Sequence, residues 1–170
     1  MQIRALSPDD ATEYQALRLQ GLLEWPSAFA SSHDEEVNTP IAEISARLQP
    51  NGDGAIFGAF MDGRLVGIVG LQRETMQKLA HKAYIWGMYV APEARKLGVG
   101  KALLQHALNH ARDVMLVRQV NLGVNASNDA AIALYRSLGF EPFGIERGFM
   151  LLDGESHDEI HMVRVLRAAD

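Results

Sequence analysis

The stretch from Lys82 to Arg112 constrains the fold more than any other part of the chain. It runs from an apolar segment ending at Val90, through Arg95-Lys96-Leu97-Gly98-Val99-Gly100-Lys101-Ala102, into an amphipathic one. Lys82–Val90 is rich in aromatic and branched residues and reads as a strand. Leu103, Leu104, Ala107, Leu108 and Ala111 recur at helical spacing, which predicts a helix over about Val99–Arg112. Between them lie two glycines, where backbone must turn sharply or pass close to something. Unpaired amides and the positive end of the dipole make such a helix start an anion site, and Arg95, Lys96 and Lys101 add charge. A tight turn that binds nothing would share this local pattern. Two familiar phosphate loops are excluded by spacing. A Walker loop needs Gly where Arg95 stands and Ser or Thr at Ala102, and a dinucleotide fingerprint needs a small residue at Leu103.

The rest of the chain supplies strands and helices in a readable order. Ile3–Leu6 is a short strand, and Ser7-Pro8 starts a helix with Asp9 and Asp10 in its first turn. That helix should end near Glu24, because Trp25 precedes a proline. Thr39-Pro40 opens a shorter helix with Ile41, Ile44 and Leu48 on one buried face. Ala55–Met61 and Arg64–Gln72 are joined by Asp62-Gly63, a strong hairpin signal. Val117–Val124 is a buried strand, and Ser127 or Asn128 caps a helix that stops at Gly139. Two last strands, about Phe140–Leu151 and Glu159–Leu166, meet around Asp153-Gly154. The order β-α-α-β-β-β-α-β-α-β-β predicts an α/β fold with a mixed sheet, antiparallel at the hairpins and parallel across helical crossovers.

Composition narrows the function classes. At 170 residues one domain spanning 1–170 is expected. The absence of cysteine excludes disulfide scaffolds, thiolate metal sites and cysteine nucleophiles. A formal charge of −5 argues against broad attraction to nucleic acid or anionic membranes, while leaving room for a local basic pocket. No window reaches 18 uninterrupted apolar residues, and Met1–Asp10 has no apolar signal core, so a soluble cytoplasmic protein is the expectation.

A second motif stands downstream: Asn125-Ala126-Ser127-Asn128-Asp129-Ala130-Ala131-Ile132-Ala133-Leu134-Tyr135-Arg136-Ser137-Leu138-Gly139-Phe140. Together with Arg-x-x-Gly-x-Gly after a strand, it resembles the paired signatures of the GNAT superfamily of acetyl-CoA-dependent N-acetyltransferases. The similarity is strong over about Lys82–Phe143 and extends elsewhere by element order. It implies a sheet splayed between the strands ending at Val90 and beginning near Val117. The backbone of Met88, Tyr89 and Val90 would then bind a pantetheine arm, with the Val90 amide as oxyanion donor. The amides of Arg95, Lys96, Leu97, Gly98, Val99, Gly100 and Lys101 would hold the pyrophosphate of acetyl-CoA. By the same resemblance Asn128 would bond the pantetheine and Tyr135 would act as general acid. Helix geometry agrees, since residues seven apart share a face about 10 Å apart. The implied partners are acetyl-CoA and an amine acceptor, a small molecule or peptide, with no nucleic acid or membrane; a homodimer is compatible with this reading.

The resemblance breaks at the base. Many members carry a glutamate on this strand, where Tyr84 stands, and Ala83–Val90 holds no carboxylate. The alternatives are Glu74, Glu35, Glu36, His157, Asp158 and Glu159. A missing strand base harms an α-amine, of pKa about 7.7–8.0, less than a lysine amine near 10.4, which tilts the acceptor towards α-amines. It is also the best argument for a non-catalytic CoA-binding sensor; a domain acylating protein lysines is a third reading. Residues Trp25–Glu36 offer aromatics followed by acids, suited to an acceptor wall or to a packed loop with a solvated turn. His106 and His110 sit four apart on a helix, but Ala107 follows His106 and no third ligand is apparent, so no metal is expected.

Overall fold

The computed structural model describes residues 1–166. Seven strands form one sheet: β1 (Gln2–Ala5), β2 (Gly54–Met61), β3 (Arg64–Arg73), β4 (Lys82–Val90), β5 (Gln119–Asn125), β6 (Glu141–Leu152) and β7 (Glu155–Val165). Their spatial order is β1-β2-β3-β4-β5-β7-β6. Every neighbouring pair is antiparallel except β4 and β5, so the sheet is mixed, as the element order required.

The parallel pair decides what the sheet can hold. Only Lys82, Ala83 and Tyr84 pair with β5, opposite Gln119, Val120 and Asn121. Beyond Tyr84 the two strands part, leaving a cleft between Ile85–Val90 and Leu122–Asn125. Across β4, register with β3 slips where Ile68 faces Tyr89 but Gly70 faces Trp86. Gly87 fills that bulge with φ +61°, a conformation that favours glycine. A bulge bends its strand and strengthens its twist, which carries β4 away from β5.

Helices α1 (Ala11–Glu24) and α4 (Val99–Asp113) cover opposite faces. Tyr89 packs on Gly21 of α1, whereas Gly67, the partner of Val90, packs on Leu103 and Val99 of α4. Successive strand residues alternate faces, so the two helices lie on opposite sides. The expected inner stripe of α4 is buried throughout, Leu103, Leu104, Ala107 and Ala111 being wholly inaccessible. Truncating one of those leucines to alanine costs about 2–5 kcal/mol. A 3-10 turn over Pro8–Asp10 precedes α1 and carries the capping box: the Asp10 carboxylate accepts from the Ser7 amide at 2.8 Å and from Arg4 through two bonds of 2.7 Å. It ends at Glu24, as the Trp25-Pro26 step demands. Asp62 and Gly63 both adopt positive φ, the turn the hairpin signal implies.

Several boundaries differ for local reasons. Asp153 and Gly154 form an equally tight turn, so β7 begins at Glu155 and takes in His157 and Asp158, ahead of the expected Glu159. A one-turn helix, α2 (His33–Glu36), rests on a Ser32–Glu35 capping box within the segment read as irregular. In α3 (Ile41–Arg47), Ile44 and the following Leu48 are buried, but Ile41 in the first turn is 42% exposed and outside the expected face. Leu116 turns with φ +55°, so β5 starts at Gln119 instead of Val117. His106 and His110 each lean edge-on against Phe57. No described helix is long and apolar enough to cross a membrane.

Candidate active site

The residues singled out in the sequence converge on the cleft between β4 and β5, with two qualifications. Helix α5 (Asp129–Ser137) begins at Asn128, whose Oδ1 accepts from the Ala131 amide at 3.1 Å. This cap engages Oδ1, while Nδ2 makes no hydrogen bond among the described residues. Seven residues on, Tyr135 is 7% exposed. Asn128, Tyr135, Met88 and Gly87 wall a cavity of about 120 Å³ whose far side is Gly123 and Asn125 of β5. The Tyr135 ring meets Phe140 edge-on at 5.9 Å, and its hydroxyl has no partner among the described residues. Burial pushes the phenol up to about 12, so it stays protonated at neutral pH.

A second hollow of about 250 Å³ adjoins the first through Met88 and Asn128, and is walled further by Tyr89, Val90 and Arg95. It leads towards the glycine loop. From Lys96 to Lys101 the backbone N–H groups meet no backbone acceptor among the described residues, and no side chain caps α4. The two glycines serve different ends. Gly98 takes φ +81° in open space, whereas a Cβ on Gly100 would stand 3.1 Å from Met88 Cε and 3.3 Å from Leu134. Lys96 also has positive φ, at +63°. Such a curled run of amides is an anion-binding concavity. Lys96, Leu97 and Lys101 are exposed, while the Val99 side chain is in the core and offers only its amide.

Arg95 departs from expectation. Its guanidinium folds back, donating to Glu24 at 2.6 Å and to the Val90 carbonyl at 3.0 Å. Glu24 also accepts from the Tyr89 hydroxyl and from Trp25 Nε1. Arg95 first, then Tyr89, holds the Glu24 carboxyl down to about 2, while burial and that bond raise the Tyr89 phenol. The charge of Arg95 is thus neutralised by the end of α1 and is not added to the loop. The reason is a contact 71 residues away in sequence.

Among the candidate bases the structure separates one from the rest. Glu74 lies at the paired end of β4, its amide bonded to the Lys82 carbonyl, away from the cleft. Glu35 closes the Ser32 capping box, and Glu36 binds Arg18 and Ser31. Burial would raise Glu36, but Arg18 and Ser31 together hold it down. Asp158 is tied to the Gly148 amide and Arg147. Glu159 lies over Gly123 on the floor of the cleft, and burial raises its carboxyl against the opposing pull of His161. With Phe29 and His157 it walls a third hollow, of about 50 Å³, that shares Gly123, Asn125 and Ala28 with the Tyr135 cavity. His161 stands 3.6 Å from Glu159 and 3.2 Å from Glu146.

The cleft thus has a loop of free amides near one end and a carboxylate near the other. The acetyltransferase (GNAT) family model covers residues 19–140.

The chain belongs to the GNAT acetyltransferase family.

Similar members include an N-alpha-acetyltransferase of Sulfurisphaera tokodaii, 33% identical over 110 residues, covering 61% of this chain and 65% of the relative. A mycothiol acetyltransferase of Paenarthrobacter aurescens is 34% identical over 71% of this chain and 38% of its own length. The ribosomal protein bS18-alanine N-acetyltransferase of Escherichia coli is 36% identical over 51% of this chain and 57% of its own. The chain therefore spans from under two fifths to just under two thirds of these relatives. The GNAT fold extends further: an acetyltransferase from Streptococcus pneumoniae superposes at TM-score 0.87 over 97% of this chain and 99% of that one, at 22% identity.

Two features of this GNAT site escaped the sequence reading. Gly87 carried a signal, a glycine inside a strand, which marks a bulge. Arg18 carried none, being one arginine on a helix whose apolar pattern is weak.

Proposed function

We propose that this GNAT protein transfers the acetyl group of acetyl-CoA to the α-amine of an amino acid or peptide. The observation that carries the reading is the row of three hollows that share walls, one bounded by Arg95 and Val90 beside the loop of free amides, one by Asn128 and Tyr135, and one by Glu159. The free amides suit a pyrophosphate, and the strand edge of Met88–Val90 with Asn128 suits an extended amide-bearing arm. Acetyl-CoA supplies an activated thioester. Glu159 takes the proton the acceptor ammonium must lose before its nitrogen bonds the carbonyl carbon, and the Tyr135 hydroxyl gives one to the sulfur as the carbon–sulfur bond breaks. The acceptor nitrogen loses two protons in all: the first goes to Glu159 and on to solvent, and the second, shed as the amide forms, restores the Tyr135 hydroxyl that protonated the sulfur.

An α-amine suits these groups better than a lysine. An α-amine of pKa about 7.7–8.0 is partly neutral near physiological pH and needs less help from a carboxylate base than an amine near 10.4, which is almost wholly protonated there. Relatives bear the names N-alpha-acetyltransferase and bS18-alanine N-acetyltransferase, which support the same acceptor class. A CoA sensor would have no use for an unpartnered phenol and a raised carboxylate at the end of that row. The test is thiol release from acetyl-CoA with alanyl peptides, Nα-blocked lysine and spermidine at equal neutral amine. Alanyl peptides turning over fastest supports the reading. Thiol release with no acceptor of any class, despite measured acetyl-CoA binding, overturns it in favour of the sensor.

A further inference from the structure

Arg18 is 8% exposed on α1, the one charged residue in the core among the described residues. Its Nε and Nη2 are engaged, on Glu36 at 3.1 and 2.8 Å and on Ser31 Oγ at 2.8 Å. Its Nη1, with two N–H donors, has no partner, and among the described residues no other buried side-chain nitrogen or oxygen is so left. Buried donors are nearly always satisfied, and one that is not calls for an explanation.

The place where Nη1 points supplies one. A Cβ on Gly87 would have Nη1 at 3.5 Å as its only neighbour within 4 Å, so a small space lies between the guanidinium and the bulge. Gly87 also walls the Tyr135 cavity. The Phe29 ring lies 4.7 Å from the guanidinium and lines the hollow that holds Glu159. Glu159 in turn occupies the space over Gly123, across the cleft from Gly87. Two glycines on parting strands thus each leave room for one charged group, a cation over β4 and an anion over β5.

We infer that Arg18 is the specificity residue of the acceptor site, its Nη1 donating to the oxygen bonded to the carbon next to the acceptor's amine-bearing carbon. The inference rests on the α-amine reading above. An amino acid or peptide N-terminus carries an amine and a carbonyl or carboxylate oxygen close together, fitting Glu159 and Arg18 at once. Lysine side chains and polyamines have no such oxygen. The arrangement gives Nη1 an acceptor without disturbing the pair with Glu36, and a ligand lacking the oxygen leaves that buried nitrogen unmatched.

The experiment compares alaninamide, alanine and isopropylamine, which share one amine-bearing carbon skeleton and differ in the oxygen. Rates are taken at equal neutral amine for the wild type and for Arg18→Lys, which keeps a cation for Glu36 and loses the fork. A charge-assisted bond predicts that the wild type favours alaninamide over isopropylamine by about 10- to 100-fold in kcat/KM, and that the ratio collapses in Arg18→Lys. Alanine outrunning alaninamide identifies a carboxylate, the reverse a peptide carbonyl; both support the oxygen contact. A wild-type ratio near one overturns the inference without any variant. So does a ratio that survives in Arg18→Lys with its melting temperature intact. If spermidine or a lysine amine outruns all three, the α-amine reading itself has failed.

Discussion

The carboxylate of Glu159 lies where Gly123 lacks a side chain: a Cβ built on Gly123 would overlap Oε1. The two residues sit on adjacent antiparallel strands, with Gly123 paired to His161 and Asn125 to Glu159. The carboxyl thus leans diagonally across the ladder onto the cleft floor. Gly123 has an ordinary backbone conformation, so an alanine there strains nothing except this contact. Gly123→Ala should expel Glu159 from the cleft while the sheet stays paired. Turnover should fall about 10²-fold or more, approaching the loss of a general base. Steady-state kinetics beside an unchanged melting temperature checks this; full activity in a folded variant removes Glu159 from the chemistry.

Glu159→Gln tests the same role through pH. The carboxyl must be ionised to accept a proton, and burial raises its pKa. Wild-type kcat on a saturating acceptor should therefore fall as pH drops through a value above the usual carboxylate range. The glutamine variant should lose that limb, run about 10²–10⁴ slower near neutrality, and recover as rising pH supplies more neutral amine. A low-pH limb that persists unchanged in the variant assigns it to another group.

Much of this was legible because it is local. Both Asp-Gly turns, the Trp25-Pro26 stop, the Asn128 cap and the α4 stripe depend on residues within a few positions of one another. The pairing of Asn128 with Tyr135 follows from helical rise alone. What was not legible is long-range or strand-borne. Arg95 reads as a free cation until Glu24 meets it across the fold. Glu159 was one acid among six candidates until β7 began four residues earlier than expected and set it against Gly123. Arg18 becomes notable only when three of its partners, and the one it lacks, are known.

The glycine loop predicts two distinct defects. Gly98→Val forces a branched residue to φ +81° with no crowding, a strain of roughly 1–3 kcal/mol that should re-aim the loop amides. Gly100→Val instead drives its side chain into Met88 and Leu134, beside Asn128, at the wall of the cleft. Both should weaken CoA binding at least 10-fold by calorimetry. Both should also lower the thermal stability, Gly98→Val through that backbone strain and Gly100→Val through an overpacking cost of about 1–3 kcal/mol, but only Gly100→Val should shift Met88 at the cleft wall. Unchanged affinity in both removes the phosphate assignment.

Acid stability should track Asp10. Arg4 first, with the Ser7 bonds, holds its carboxyl down to about 2 from a usual 3.8. A depressed carboxyl contributes stability fully above its unfolded value and loses it as pH falls through the folded one. Its contribution, about 1–2 kcal/mol, is present at neutral pH and fades between about pH 4 and 2. Asp10→Asn should be less stable at pH 7 and converge on the wild type near pH 2. Urea midpoints that differ equally at both pH values would point to lost packing instead.

Tyr135 offers the sharpest division between binding and chemistry. Its ring is core, packed on Phe140, and lines the cavity wall, so Tyr135→Phe keeps the packing and removes one proton donor. Acetyl-CoA affinity should barely move, because the loop amides and Asn128 are untouched. Turnover should drop about 10- to 10³-fold, at or just below the range for a lost general acid, since an alkyl thiolate leaves tolerably without a proton. With the phenol pushed up to about 12, its ionisation cannot produce an alkaline limb near pH 8 or 9. The wild type and the phenylalanine variant should therefore show parallel profiles across that range, offset by a constant factor. A wild-type decline near pH 9 that Tyr135→Phe abolishes would mean the phenol titrates in water-like surroundings, and a variant at full rate would leave it a core aromatic with no part in the transfer.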